Sequence, residues 1–422
     1  MSSFRELRRN HDFTALWIGQ TVSDLGTQMS AFVYPLLAYA LTGSVVLAGL
    51  TEAANLLGMA LTVLPAGVLA DRAHRGRLMR VASAGGAILY GSLFITALAG
   101  ALSVAQLLAV ALLTGVGAGI FAPAEMSAVL SIVAEKDLPV ALSQNEARSH
   151  LATLVGAPLG GALYAAARWM PFLLDAVSYT VSWFTLGRIR TDLGPVSTGS
   201  RQRPHVDAAE GLRFIWKQPF YRAMLLYSPA ANLVVNAVFV TAVLRLIQAG
   251  TAPWAIGTVD LVAGLSGLLG AAIAPCIVAR IATGRLTAAT AWTRVPLLVP
   301  MIFWNDPAVV ATALAAVLFL NPAGKAGIGS YRLAITPPNL VGRVQAASRF
   351  ANWSTLPLAP VLGGALLAVL EGPATITVLT VLAAGVALIP TLNDTIRTVP
   401  RPAQWQRVET IPGVTASSSH AA

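Results

Sequence analysis

Residues 67–77 read Gly67-Val68-Leu69-Ala70-Asp71-Arg72-Ala73-His74-Arg75-Gly76-Arg77. Apolar sequence flanks this stretch on both sides, from Val45 to Ala70 before it and from Leu78 to Leu98 after it. Runs of about 20 apolar residues are what an α-helix needs to cross the hydrocarbon core of a bilayer. The stretch between them is therefore a short loop at a membrane face. Arg72, Arg75, Arg77 and Arg80 mark that face as the one that retains positive charge. Gly67 lets two helices approach closely. Asp71 ends its helix where it can pair with a cation or a helix N-terminus, and Arg75 and Arg77 can hold acidic partners or lipid phosphates.

The composition extends this reading to the whole chain. Of 422 residues, 56% are hydrophobic and 11% charged, against about 25% charged in a soluble domain, and the mean hydropathy is +0.69. That is too little charge to coat a soluble protein, and it leaves room for about ten to fourteen membrane helices. Barrel strands alternate in short segments, so these long continuous runs point away from a β-barrel. A net charge of +10 would suggest nucleic acid in a soluble protein; here the arginines sit between apolar runs and report topology, and no nucleic acid is expected. Cys276, the only cysteine, permits no intrachain disulfide. The histidines, His11, His74, His150, His205 and His420, show no metal-ligand spacing, and no phosphate-cradling Gly-x-x-x-x-Gly-Lys-Ser/Thr loop occurs. Neither metal nor cofactor is expected. The basic segment MSSFRELRRNHDF lacks a small-residue cleavage site, so the first helix is read as retained.

Spans are predicted at 13–41, 45–70, 78–98, 104–120 (continuing past Pro123), 141–166 and 171–186, then at 222–247, 254–279, 286–304, 307–324, 346–369 and 373–392, about twelve in all. One set of alternate loops carries Arg72 to Arg80, then Lys136 and Arg148, then Arg201, Arg203, Arg213 and Lys217, then Arg280 and Arg285, then Arg332 and Arg343. The other set holds Arg168, with Arg245 near by. This alternation places both termini on the cytoplasmic side of the plasma membrane, and a missed span would invert every later loop. The two halves repeat at an offset of about 200 residues. Pro123-Ala124 matches Pro322-Ala323, Gln144…Arg148 matches Gln345…Arg349, Gly160-Gly161 matches Gly363-Gly364, and Gly76-Arg77 matches Gly284-Arg285. The predicted organisation is an N-terminal six-helix half (1–187), a linker with a short amphipathic helix over Asp207–Lys217 (188–221), a C-terminal six-helix half (222–393) and a polar, disordered cytoplasmic tail (394–422).

The 67–77 loop resembles the signature between the second and third helices of the major facilitator superfamily: Gly, a small or apolar stretch, Asp-Arg, then a Gly/basic cluster. The resemblance covers Phe13 to about Leu392. It implies an all-α polytopic protein with twelve transmembrane helices in two pseudo-symmetric six-helix bundles. It implies secondary transport, with Gly67, Asp71, Arg72, Arg75, Gly76 and Arg77 latching a cytoplasmic gate. LTGS at 41–44, FLLDAVSY at 172–179 and AAEGLRFIWKQP at 208–219 are most similar to the branch of enterobactin and macrolide exporters. Gly156-Ala157-Pro158-Leu159-Gly160-Gly161 is similar to the Gly-Pro-x-x-Gly-Gly antiporter motif, with its proline displaced by one. Pro360, Gly363 and Gly364 keep that spacing in the eleventh helix. Glycine pairs permit tight packing, and proline makes a kink that can pivot. Many drug–proton antiporters carry an arginine in the fourth helix; Ala111 stands in its place, a departure from that coupling scheme.

Charges inside spans are costly and so mark functional candidates. These are Asp24, Glu52, Asp175 and Asp260. Asp24 lies between Gln20 and Gln28 at helical spacing, so the three share a polar face expected to line a central cavity. Asp24 is the first candidate for a protonatable carboxylate, with a structural ion pair as the competing reading. Glu52 lies near an outer helix end, and Asp175 falls in a packing stretch. Asp260 is expected to pair with Arg245 as an outer gate. The expectation is a monomeric, proton-coupled exporter in the lipid bilayer, rocking two halves around an apolar cavity. Its small-molecule substrate would be hydrophobic or amphipathic: an antibiotic, siderophore or other secondary metabolite. An importer or facilitator of the same fold is the nearest rival. A non-transporting sensor or an integral membrane enzyme is the rival of another class, and no clustered nucleophile or acid–base pair supports an enzyme.

Overall fold

The computed structural model describes Leu7 and residues 9–194, 213–337 and 340–408, except the side chains of residues 63, 64, 67, 68, 70–72 and 406–408. The N-terminal half comprises α1 (His11–Thr42), α2 (Val45–Arg72), α3 (Arg75–Leu98), α4 (Val104–Ile132), α5 (Leu138–Ala166) and α6 (Met170–Leu186). The C-terminal half comprises α7 (Pro219–Gln248), α8 (Pro253–Arg280), α9 (Thr283–Leu298) continued by α10 (Pro300–Phe303), α11 (Pro307–Ile335), α12 (Val341–Trp353) continued by α13 (Leu358–Val369), and α14 (Gly372–Leu392). With the two interrupted helices each counted as one crossing, the described helices form the twelve crossings of two six-helix bundles.

The helix boundaries follow local chemistry. Asn10 caps α1 by accepting from the Asp12 and Phe13 amides, and Ser44 and Ser103 cap α2 and α4. Proline opens α7, α8, α11 and α14, where its missing N–H costs nothing. Gly43 (φ 65°) and Gly250 (φ 71°) end the first helix of each half in a left-handed conformation that suits glycine. Nine described helical segments are long and apolar enough to cross a membrane on length and composition alone. The remaining crossings are α1, α5 and α6. α6 has only 17 residues. α1 is diluted by Gln20, Asp24 and Gln28, and α5 by its polar segment 144–150.

Within each half the second helix packs on the fourth (α2 on α4, α8 on α11) and the first on the sixth (α1 on α6, α7 on α14). Between halves, α2 meets α13 and α5 meets α8, the two seams expected of a pseudo-twofold.

Three features differ from the sequence reading. The tenth crossing continues to Ile335, so Arg332 is helical rather than in a loop. Arg148, grouped with the loop charges though within the predicted 141–166 span, lies well inside α5. A polar cavity-facing or face-proximal turn ends an apolar run without ending a helix. The tail expected to be disordered is ordered as far as 408: a short helix α15 (Asp394–Arg397) precedes a 3-10 turn (Pro402–Val408). Ile396 and Val399 are buried, the amides of Thr283 and Gly284 donate to the carbonyls of Pro400 and Val399, and Trp405 packs edge-on against Tyr331. The N-terminal half has the same strap, with the Arg75 amide donating to the Leu193 carbonyl. Of the expected surface helix Asp207–Lys217, residues 213–217 are helical; the rest of it, and the tail beyond 408, lie outside the described residues.

Candidate functional site

Each half encloses a cavity. The N-terminal one, of about 650 Å³, is lined by Gln20, Asp24 and Thr27 of α1, Glu125 of α4, Ser149 of α5 and Tyr179 of α6. Arg148 of α5 organises its polar wall. Its Nε lies 2.9 Å from Asp24 Oδ2 and its Nη2 donates to Glu125 Oε1 at 2.9 Å. The Arg148 side chain is 5% exposed, those of Asp24 and Glu125 31% and 15%. One guanidinium thus joins three helices, and both of its carboxylates line the cavity, Asp24 the more open.

The polar face of α1 is divided rather than shared. Gln20 lines the cavity, but its Nε2 donates to Ser182 Oγ of α6 at 3.0 Å. Gln28 donates to Thr153 Oγ1 of α5 at 2.6 Å and does not line the cavity. Asp175 is fully buried; it accepts from Ser178 Oγ, and Gly26 of α1 packs directly over the pair.

The expected gate between Arg245 and Asp260 does not form. Arg245 instead donates to the Met301 carbonyl at 2.6 Å, and its own carbonyl accepts from Asn305. Met301 lies in the short α10, which ends at Phe303 and leaves its last carbonyls without helical donors. Asp260 has a buried Oδ1 with no hydrogen-bond partner, and lies within electrostatic reach of Glu52 across the α2–α8 boundary between halves.

The glycines and prolines of α5 and α13 lie on the seams. A Cβ on Gly161 would strike the Pro253 carbonyl, and one on Gly257 would strike Pro158 and Ala157. Gly49 faces the Pro360 carbonyl and Gly364 faces Val45. These contacts close the two halves at the end away from the termini. Gly156 and Gly160 pack instead against Gln28 and Met29 of α1, and Gly363 against Thr241 of α7, so they hold each half together.

At the opposite end, Arg75 is buried and its Nη1 donates to Ser131 Oγ of α4 at 3.0 Å. Gly76 lies against His74 and Leu193, and Arg77 is exposed. The side chains at Gly67, Asp71 and Arg72 lie outside the described residues.

The C-terminal cavity, of about 540 Å³, is lined by Asn232 and Asn236 of α7, Arg294 of α9, and Asn321, Lys325 and Arg332 of α11. Asn321, Lys325 and Arg332 recur at helical spacing, so one face of α11 is polar. This is not the apolar cavity expected from the sequence.

The sequence pattern of the Major Facilitator Superfamily matches residues 16–330. The chain belongs to the Major Facilitator Superfamily. Its fold is that of solved members of this transporter family. A bacterial homologue of the iron transporter ferroportin, in an inward-facing state, superposes with a TM-score of 0.71 at 16% identity, covering 93% of this chain and 99% of that one. A bacterial homologue of the human lysosomal transporter Spinster, inward-facing and unoccupied, gives 0.70 at 14% identity, covering 93% and 98%. The nucleoside transporter NupG gives 0.68 at 11% identity, covering 91% and 100%. No curated protein matches the chain in sequence.

Sequence reasoning missed Glu125, Arg148, Arg294 and Lys325 as site residues. Glu125 follows Pro123, where the apolar run ends, and Arg148 was counted among loop charges. The repeat held a usable signal: Pro123 matches Pro322, so Glu125 and Lys325 both fall just past the same proline in the fourth helix of each half.

Proposed function

We propose that this member of the superfamily is a proton-coupled exporter of the plasma membrane, with both termini cytoplasmic. It moves a hydrophobic or amphipathic small molecule, of the antibiotic, siderophore or secondary-metabolite kind, by alternating access as a monomer. The observation that carries the reading is the cluster of Arg148 with Asp24 and Glu125 inside a cavity. Two carboxylates around one guanidinium leave a negative charge in excess, and uncompensated charge within the membrane is expensive. A single proton on the cluster balances it. Asp24 is the better-placed acceptor because it is the more open to the cavity. Protonation there cancels its attraction for Arg148 and leaves the Arg148–Glu125 pair, so that α1 loosens from α5. Cargo and proton then compete for one state of the N-terminal half.

With the termini in the cytoplasm, the glycine seams form a closed outer gate and the cavities open inward, which suits loading from the cytoplasm. The Asp71 loop would latch the opposite state. The direction of transport and the nearness to enterobactin and macrolide exporters rest on the motifs at 41–44, 156–161, 172–179 and 208–219. A metal cargo, such as the iron that names ferroportin, is not proposed, because no group of three His, Cys, Asp or Glu side chains comes together among the described residues. The test is accumulation of a panel of labelled amphipathic metabolites in everted vesicles. At least one should accumulate with wild type and lose its dependence on the pH gradient in Asp24→Asn. Gradient-dependent accumulation unchanged in Asp24→Asn would remove the carboxylate from the mechanism.

A further inference from the structure

The proton exchange above leaves the C-terminal cavity without a role, and its charges are of one sign. Arg294, Lys325 and Arg332 line it, and no Asp or Glu does. The carboxylates described in this half all lie outside the cavity. Asp260 lies within electrostatic reach of Glu52, Asp306 caps α11, Glu371 immediately precedes α14, and Asp394 pairs with Arg397. Arg294 donates to Asn321 Oδ1 at 3.0 Å, and Arg332 lies 6.0 Å from the centre of the Tyr221 ring. The Lys325 ammonium has no hydrogen-bond or ion-pair partner among the described residues, and it is exposed to the cavity.

The depth of these charges makes them informative. Arg294 sits nine residues before the end of α10 at Phe303, about 14 Å along a helix and so close to the middle of a roughly 30 Å hydrocarbon core. Cations at that depth are costly unless something answers their charge. In the N-terminal half Glu125 answers Arg148; at the matching place past Pro322 stands Gly324. The rest of the wall is uncharged: polar at Asn232, Asn236 and Asn352, and apolar or aromatic at Tyr227, Leu318, Ile328, Trp353 and Leu356.

We infer that the C-terminal cavity is an anion subsite: Lys325 and Arg294 receive the carboxylate or phosphate group of an amphipathic cargo whose apolar body lies against Ile328, Trp353 and Leu356. This rests on the transport reading only in making the ligand cargo. It replaces a merely hydrophobic substrate with one that carries a negative group, and it separates the cargo's charge from the proton site in the other half.

The test uses the full chain in phosphatidylcholine nanodiscs and three probes of one shape: naphthoate, the neutral naphthamide and the cationic naphthylmethylammonium. Naphthoate should bind tightest. Lys325→Gln should weaken it about 10- to 100-fold, the span expected for one charge-assisted contact, while naphthamide affinity stays the same. Lys325→Arg should restore binding, which separates a charge effect from misfolding. Absent naphthoate binding, equal binding of naphthamide, or unchanged naphthoate affinity in Lys325→Gln would overturn the inference. So would loss of naphthoate binding on adding phosphatidylglycerol, which would assign the cations to a lipid headgroup. Lys325-dependent binding without movement across proteoliposomes would leave the anion subsite standing and remove the transport reading. Transport of naphthamide alone would do the reverse.

Discussion

Arg148 holds the N-terminal site together, and it is the residue whose loss should be felt most. Replacing it with Gln leaves Asp24 and Glu125 facing each other without a cation. Breaking a buried pair costs about 3–5 kcal/mol. The partial exposure of Asp24 places Arg148→Gln near the bottom of that range, measurable as a drop of several degrees in melting temperature in detergent. Asp24→Asn should be milder for stability, since Arg148 keeps Glu125, yet should cut gradient-driven flux by about a hundredfold or more, the scale of a lost proton-transfer group. A variant of Asp24 as unstable as that of Arg148 would make the cluster structural only. The sequence marks Asp24 as a charge deep in an apolar run. It could not reveal Arg148, because an arginine near a helix end reads as a topology signal until its partners are known. It could not reveal the separate fates of Gln20 and Gln28 either, because helical spacing assigns a face but not the neighbours on it.

At the scale of the elements, two devices hold the helices in register. Asp12, in the first turn of α1 at the membrane face, accepts from the amides of Arg190 and Thr191 and from Thr191 Oγ1. Burial works against its charge, but these hydrogen bonds, with that from His11, outweigh it and hold the carboxyl well below the usual carboxylate range. A carboxylate with a depressed folded pKa stabilises fully above its unfolded value, about pH 4, and loses that contribution as pH falls toward the folded one. Asp12→Ala should therefore cost about 1–3 kcal/mol at neutral pH, and its melting temperature should converge on that of wild type in acid. A gap independent of pH would assign the loss to packing. The second device is the glycine seam. Gly257→Leu should prevent α8 from seating against Pro158 and open the seam at the end away from the termini. Spin labels at Arg168 and Thr251 should then report a longer distance across that end; an unchanged distance would show that the seam yields without opening. Helix count and order were legible because hydropathy and loop arginines are local signals. The ordered strap after Asp394 was not, since Ile396, Val399 and Trp405 find their contacts only once α9 and α11 are in place.

For the whole molecule, the repeat supplies the scaffold and its departures supply the chemistry. Both halves use the same packing order, the same left-handed glycine after the first helix and the same strap onto the third. They differ in what lies past the proline of the fourth helix, where one half carries Glu125 and the other Lys325. A two-half machine that rocks between states needs the symmetric part to move and the asymmetric part to couple proton and cargo. The central claim is that cargo moves against proton movement through the Asp24–Arg148–Glu125 cluster. It is tested most directly in proteoliposomes of the full chain, with cargo flux followed before and after a protonophore collapses an imposed pH gradient. The account predicts that concentrative flux stops on collapse in wild type and is absent throughout in Asp24→Asn; wild-type flux that continues unchanged after collapse would contradict it.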